Sequence, residues 1–470
     1  MEELFAFKKS GTTIRREILA GFTTFFTMSY IMFVNPAILS QTGMNWYGVF
    51  VATILVIVIG TLIMGLGANV PYAVAPGMGL NAFFTYTVCL ALGFAWQEAL
   101  AMVFICGLIN VLITITRIRK AIIRSIPRWL QLAIGGGIGL FIAYIGIRNA
   151  GFLQFTVTSP GLTPAAFPGA FVVPGLAYFN APGPILALVG LVITIALMLL
   201  KVKAALLIGI TATTLIGIPM GVTQLPEGGF FDLSLVLAGF NEVSFAFMGE
   251  VGIVSLFGGG LATLPVVLIV IFSFSLVDIF DTVGTFIGTG RRSGIFDAED
   301  EKAMNEDQGI NSRLEKALFA DSTATSIGAL LGTSNATTYI ESAAGISVGG
   351  RTGFTSVVVA ALFLVCLPLA PFLGIVPTEA IAPALIVVGI LMVESFSFIR
   401  WNELGEAIPS FFTIVIMTLA FNISWGIAAG FIFYCITMIC RGKPKEIHPI
   451  ILIAALLFIL NFALLAINEL

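Results

Sequence analysis

Val70-Pro71-Tyr72-Ala73-Val74-Ala75-Pro76-Gly77-Met78-Gly79-Leu80-Asn81-Ala82-Phe83-Phe84-Thr85 lies in a long apolar stretch, yet it cannot begin as a helix. Two prolines and two glycines fall within its first ten residues. Proline removes a backbone donor, and each glycine costs about 1 kcal/mol relative to alanine in a helix. The segment therefore reads as an extended stretch followed by a half-helix starting near Leu80. Irregular backbone at membrane depth is tolerated only where protein buries it or where it lines a cavity.

That the stretch lies at membrane depth follows from the rest of the chain. Of 470 residues, 58% are hydrophobic and only 10% charged, with a mean hydropathy of +1.07. Soluble proteins are about a quarter charged, so this is a membrane-protein composition. A bilayer core needs ~20 apolar residues per helical crossing. Windows of that kind occur at 18–38, 48–66, 70–92, 96–116, 129–147, 184–200 and 204–221. The second half repeats them at 263–286, 314–331, 333–349, 354–373, 377–394, 407–421 and 424–440, with one more apolar run at 449–466. The first run is too long for a signal-peptide core and lacks a small-x-small cleavage site; it reads as the first crossing.

Charge supports the count of fourteen crossings. With a cytoplasmic N-terminus, 21 of the 22 Lys and Arg fall in loops on the cytoplasmic side, and only Arg148 lies on the other. This is the positive-inside pattern. The loops 149–182 and 222–262 read as long external connections rich in Pro, Gly and Phe, and Glu299–Glu315 as a solvated cytoplasmic loop. The net charge of −3 leaves no basic patch for nucleic acid. The five cysteines lie in apolar segments, so no disulfide framework, metal-ligand spacing or cofactor motif is expected.

A second interruption occupies the corresponding place in the other half: Gly332-Thr333-Ser334-Asn335-Ala336-Thr337-Thr338-Tyr339-Ile340-Glu341-Ser342-Ala343-Ala344-Gly345. Seven is odd, so the two seven-segment halves have opposite orientations. Matching breaks in inverted halves are the best sequence pointer to a transporter's binding site. The backbone around Gly79 and Leu80, and around Ser334 and Thr338, is expected to offer free N–H groups there.

Four acids fall inside or near the ends of apolar segments: Asp278, Asp281, Asp321 and Glu341. A charge at the bilayer centre costs ~2.5–3.5 kcal/mol on insertion scales, so each is a functional candidate. Helical spacing puts Ser275, Asp278 and Asp281 on one face. Asp321 and Asp281 also admit plain structural roles, as a local cap and as a hydrogen-bond partner. No Lys or Arg lies deep in a crossing, and the single histidine, His448, is in the C-terminal link. Uncompensated acids suit a cation, or a neutral ring presenting N–H donors, and disfavour an anion. Burial disfavours the charged form of a carboxyl group, which suits such acids to taking up and releasing a proton.

The stretches Ala75–Phe84, Asp278-Ile279-Phe280-Asp281-Thr282-Val283-Gly284-Thr285 and Gly332–Gly345 resemble the guanine/hypoxanthine/adenine permeases, the AzgA-like branch of nucleobase–cation symporters. The likeness runs over nearly the whole chain. It implies an all-α fold of fourteen segments in two inverted seven-segment repeats. A core domain would comprise 1–128 and 263–376, and a gate domain 129–262 and 377–470. It further implies that Asp278 and Glu341 contact a purine, that Asn81 lines the same site and that Asp281 is needed for transport. Thr85 and Ser275 follow as weaker inferences from the same faces, and Asp321 joins Asp281 as a candidate in proton coupling. The expected partners are a purine nucleobase, a coupling proton (or sodium) and the lipid bilayer, with homodimer formation left open. An acid-lined channel, or the same fold carrying adenine, xanthine, uracil or an inorganic anion, are the competing readings, the anion being disfavoured by the lack of a cation deep in a crossing. No nucleophile–base or metal constellation points to an enzyme.

Overall fold

The computed structural model describes residues 2–116, 125–157, 172–225, 233–258, 260–290, 294–296 and 312–468. Most of the charged run 299–315, and parts of both long connections, lie outside these residues. In chain order the principal helices are α1 (Ile14–Thr42), α2 (Trp46–Ala68), α3 (Met78–Ala91), α4 (Trp96–Ile115), α5 (Arg128–Asn149), α6 (Pro182–Leu199), α7 (Ala205–Gly217) and α8 (Leu233–Val243). There follow α9 (Gly260–Thr285), α10 (Arg313–Leu331), α11 (Ser342–Ser347), α12 (Gly353–Leu373), α13 (Thr378–Phe398), α14 (Leu404–Leu419), α15 (Ile423–Cys440) and α16 (Pro449–Asn468). Among the described residues, nine helices are long and apolar enough to cross a membrane.

The two interrupted segments complete each other. Val74–Pro76 (β1) pairs antiparallel with Ala336–Thr338 (β4, which follows Leu153–Val157, β2, and Val172–Leu176, β3, in the chain), in the register Val74↔Thr338, Ala75↔Thr337 and Pro76↔Ala336. The Gly77 N–H donates to the Asn335 carbonyl at 2.9 Å, and the Tyr339 N–H to that of Ala73 at 2.9 Å. Each break thus supplies backbone partners that the other lost, since buried backbone polar groups must be paired. Side chains close the remaining gaps. Thr61 Oγ1 accepts from the Val74 N–H, Ser342 Oγ accepts from the Ala73 N–H, and Ser356 Oγ donates to the Val70 and Tyr72 carbonyls. The first half-helix starts at Met78, close to the expected position. The second is only six residues long, so a helix dipole contributes little there.

Glycines set the closest helix approaches. A Cβ on Gly389 of α13 would lie 2.5 Å from the Gly139 carbonyl oxygen of α5, so those two helices meet backbone to backbone, as small residues allow in lipid. One junction ties the start of α1 to the start of α12. Buried Glu17 accepts from the Arg351, Thr352 and Thr355 N–H groups and from Thr355 Oγ1. Asn69, just after α2, accepts from the Gly353 N–H on the same side. The end of α1, the start of α2, the end of α5 and the start of α13 gather on another, shared cavity.

Two expectations about connections change. The stretch 222–262 is not simply a loop: α8 packs on α2, with Gly239 against Gly48, and Val236 and Val243 are buried. Its 11 residues fall below a crossing-length window, and a short helix of this kind escapes such a search. In 149–182, Leu153–Val157 (β2) and Val172–Leu176 (β3) form an antiparallel hairpin. The run after 449 is a helix, α16, with Ile451, Ala454, Ala455 and Phe458 buried and Leu452, Ile453, Leu456 and Leu457 exposed.

Candidate functional site

The site is built where β1 and β4 cross, from α1, α3, α4, α9 and α10. α9 carries Ser275, Asp278 and Asp281 with the expected spacing, but the three do not share one environment. Asp278 is 1% exposed. Its Oδ2 accepts from Asn110 Nδ2 of α4 at 2.8 Å, Thr325 Oγ1 of α10 at 3.1 Å and Asn335 Nδ2 at 3.4 Å. Ser275 donates to the Oδ1 of the same Asn110 through a short contact. Asp278 Oδ1 is buried without a hydrogen-bond partner among the described residues.

Asp321, 2% exposed, sits beside this network, within electrostatic range of Asp278. It accepts from Thr282 at 2.7 Å and from Thr338 of β4 at 2.7 Å. Far from being a segment-end cap, it ties α9, α10 and the strand crossing together.

Asp281 and Glu341 are only half-buried and lie within electrostatic range of one another. Asp281 accepts from Thr337 Oγ1 at 3.4 Å. Glu341 occupies the residue before α11, but its carboxylate does not cap that helix. It accepts from the Tyr30 hydroxyl of α1 at 2.5 Å. Tyr339 borders the same two acids, and its hydroxyl donates to the Pro76 carbonyl at 2.7 Å.

Asn81 on α3 is fully buried. Its Nδ2 donates to Asn35 Oδ1 at 3.2 Å, and its own Oδ1 has no partner. Asn35 in turn donates to Thr53 and Thr333. Thr85 points to the Ile38 carbonyl of α1, 3.3 Å away. Ser334, Thr338, Gly79 and Leu80 are all buried at the crossing, and the Ser334 hydroxyl is unpartnered. A Cβ on Gly79 would meet Ile138 of α5 at 2.5 Å, so that glycine serves close packing.

The four acids therefore divide into two neighbourhoods. Asp278 lies with Asp321 in a closed network, and Glu341 lies with Asp281 on a half-open face. Among the described residues, Asp278 and Glu341 share no hydrogen-bond partner. Tyr30, Asn35, Asn110, Thr325, Asn335 and Tyr339 complete the site and were not singled out from sequence. A signal existed for Asn35 and Asn110, each an amide in the middle of an apolar run, where polar side chains are expensive.

A family model described as "Permease family" matches residues 15–429. The chain belongs to this permease family. A putative permease of Methanocaldococcus jannaschii is 42% identical, over 99% of this chain and 99% of its own. The guanine/hypoxanthine permease PbuO of Bacillus subtilis is 41% identical, over 98% and 100%. The adenine permease AdeP of Escherichia coli is 40% identical, over 98% and 95%. The transmembrane domain of a cyanobacterial bicarbonate transporter, BicA, has the same fold at a TM-score of 0.60 and 15% identity, covering 89% of this chain and 97% of that one. The protein is thus a multi-pass membrane permease of the nucleobase-transporter family, and not an enzyme.

Proposed function

We propose that this permease imports purine nucleobases into the cell, guanine and hypoxanthine before adenine, by proton symport with alternating access. The carrying observation is the pair Glu341 and Asp281: two carboxyl groups on a half-buried face at the crossing of two broken segments, with no basic residue deep in any crossing. A carboxylate only accepts hydrogen bonds. Guanine presents an N1–H and an adjacent amino group, a two-donor edge that one carboxylate matches, as charge-assisted bidentate pairs do. Hypoxanthine keeps the N1–H, whereas adenine has none at that position. The relatives named for adenine and for guanine/hypoxanthine are almost equally similar to this chain, so this edge chemistry, not overall identity, carries the preference.

In this reading Glu341, steadied by Tyr30, and Asp281 face the base, and Asp278 with Asp321 handles the coupling proton. The expectation from sequence is the reverse for two of them, Asp278 on the substrate and Asp281 in proton coupling; the closed network around Asp278 favours the proton, which needs no opening of ring size, and the half-buried place of Asp281 beside Glu341 favours the base. A charge on Asp278 has three hydrogen-bond donors around it but no counter-ion among the described residues, and a proton removes that cost. The architecture invoked is fourteen segments in two inverted repeats, with α1–α4 and α9–α12 moving as a core against a gate built from the remainder. The N-terminus is placed in the cytoplasm on charge distribution alone.

The test is uptake of labelled hypoxanthine in a cell lacking its own purine carriers, with the natural bases as competitors. Guanine and unlabelled hypoxanthine are expected to compete most strongly, and a protonophore to collapse uptake while sodium removal leaves it intact. Uptake insensitive to the protonophore would overturn the coupling, and failure of every purine to compete would overturn the cargo.

A further inference from the structure

A cavity of about 510 Å3 opens at the end of α1, the start of α2, the end of α5 and the start of α13. Its size falls in the range of about 300–1,000 Å3 common for small-molecule sites. Gln41, Trp46, Asn149, Thr378 and Glu379 line it, and none of its lining residues is basic. Trp46 is held by stacking on Phe50, centroids 5.5 Å apart and nearly parallel. The start of α6 closes against Glu379: a Cβ on Gly183 would lie 3.2 Å from Glu379 Oε1.

Beneath this chamber lies Tyr86, on the half-helix that also carries Asn81. Its hydroxyl is buried beside Gln41 and Asn149. The ring packs edge-on against Phe141 of α5 at 6.4 Å and Phe421 at 5.2 Å. Phe421, in the turn between α14 and α15, has φ of +54°, a strained conformation for a bulky residue that its surroundings must hold in place. Tyr144 and Phe141 pack on Phe421, and the Arg148 guanidinium lies 5.5 Å from the centre of its ring. An aromatic cluster from α3, α5 and the α14–α15 turn thus borders the polar chamber through the Tyr86 hydroxyl.

We infer that this outer chamber is a second nucleobase site, with the bordering aromatic cluster acting as a plug that opens before the base passes to Glu341. The inference rests on the proposed cargo and adds a site to it. The chamber offers what a flat, N–H-bearing ring requires: an aromatic wall in Trp46, a carboxylate acceptor in Glu379, and two amides that both donate and accept. Among the described residues the lining has one carboxylate and no basic side chain, and Arg148, next to Asn149, is turned onto the Phe421 ring, so the chamber suits an N–H-bearing ring better than an anion. By the charge distribution of the loops, α1 ends and α13 begins on the external side, so the chamber faces the side from which import starts.

The test is cysteine protection. Gln41→Cys is placed in the full-length protein with its five native cysteines replaced, in cells, and labelled from outside with a membrane-impermeant maleimide. Hypoxanthine or guanine is expected to slow labelling at least about threefold, both alone and in a Glu341→Ala background that disables the inner site. Adding Glu379→Gln to that background is expected to abolish the protection. Protection that disappears with Glu341→Ala alone would overturn the outer site, because it would then report only a conformational change driven from the inner one. No protection in either background, in a protein that still takes up labelled hypoxanthine, would overturn the outer site and leave the cargo assignment standing. Loss of purine uptake by the otherwise unaltered protein would instead strike at the cargo assignment itself.

Discussion

Asp278 and Glu341 are the same functional group in two different settings. Asp278 is enclosed by α4, α9, α10 and the second break, and three side-chain donors converge on one of its oxygens. Glu341 leans on one tyrosine and otherwise faces a half-open surface shared with Asp281. What a carboxyl group does is set by what can reach it. In the proposed mechanism the closed network takes the proton and the half-buried face takes the ring. Asp321 and Asp281 repeat the contrast, the former tied to Thr282 and Thr338 and the latter bonded, among the described residues, through a 3.4 Å contact to Thr337.

The largest expected effect breaks the comparison most directly. Asp278→Asn and Glu341→Ala are both expected to lower uptake at least about a hundredfold, and equilibrium binding of labelled hypoxanthine to purified protein then separates them. Asp278→Asn should keep binding within about threefold, whereas Glu341→Ala should abolish it. Loss of binding in Asp278→Asn would return that residue to the substrate and erase the distinction. A smaller effect sharpens the open side. Tyr30→Phe removes a hydrogen bond to a charged acceptor, typically about 1.5–3 kcal/mol, and is expected to raise KM about tenfold with expression unchanged. An unaltered KM would show that Glu341 needs no such support. The smallest effect concerns Thr85, whose hydroxyl is spent on the Ile38 carbonyl. Thr85→Ala should leave KM within about twofold, and a larger rise would mean that Thr85 turns toward the base when the permease changes conformation.

The broken segments were legible because proline, glycine and runs of Thr, Ser and Asn are poor in a helix wherever they occur. The acids were legible because they stand out in an apolar background. The helix Leu233–Val243 was not, since at 11 residues it is shorter than a crossing and lies among glycines and prolines. Asn110, Thr325 and Asn335 were also hidden: 168, 47 and 57 residues separate them from Asp278. Nothing in the local pattern announces which of them will meet it.

Composition, hydropathy and the placement of basic residues establish a many-spanned membrane protein with two interrupted segments and acids set inside apolar stretches, because those properties depend only on each residue's own cost in lipid and on its near neighbours. Tertiary structure alone decided that the two breaks bond to each other, that Asp278 joins Asp321 while Glu341 joins Asp281, and that aromatic rings from α3, α5 and the α14–α15 turn cluster beside a cavity at the ends of α1 and α5. Those facts depend on distances between residues far apart in the chain, and helix packing, not local sequence, sets such distances.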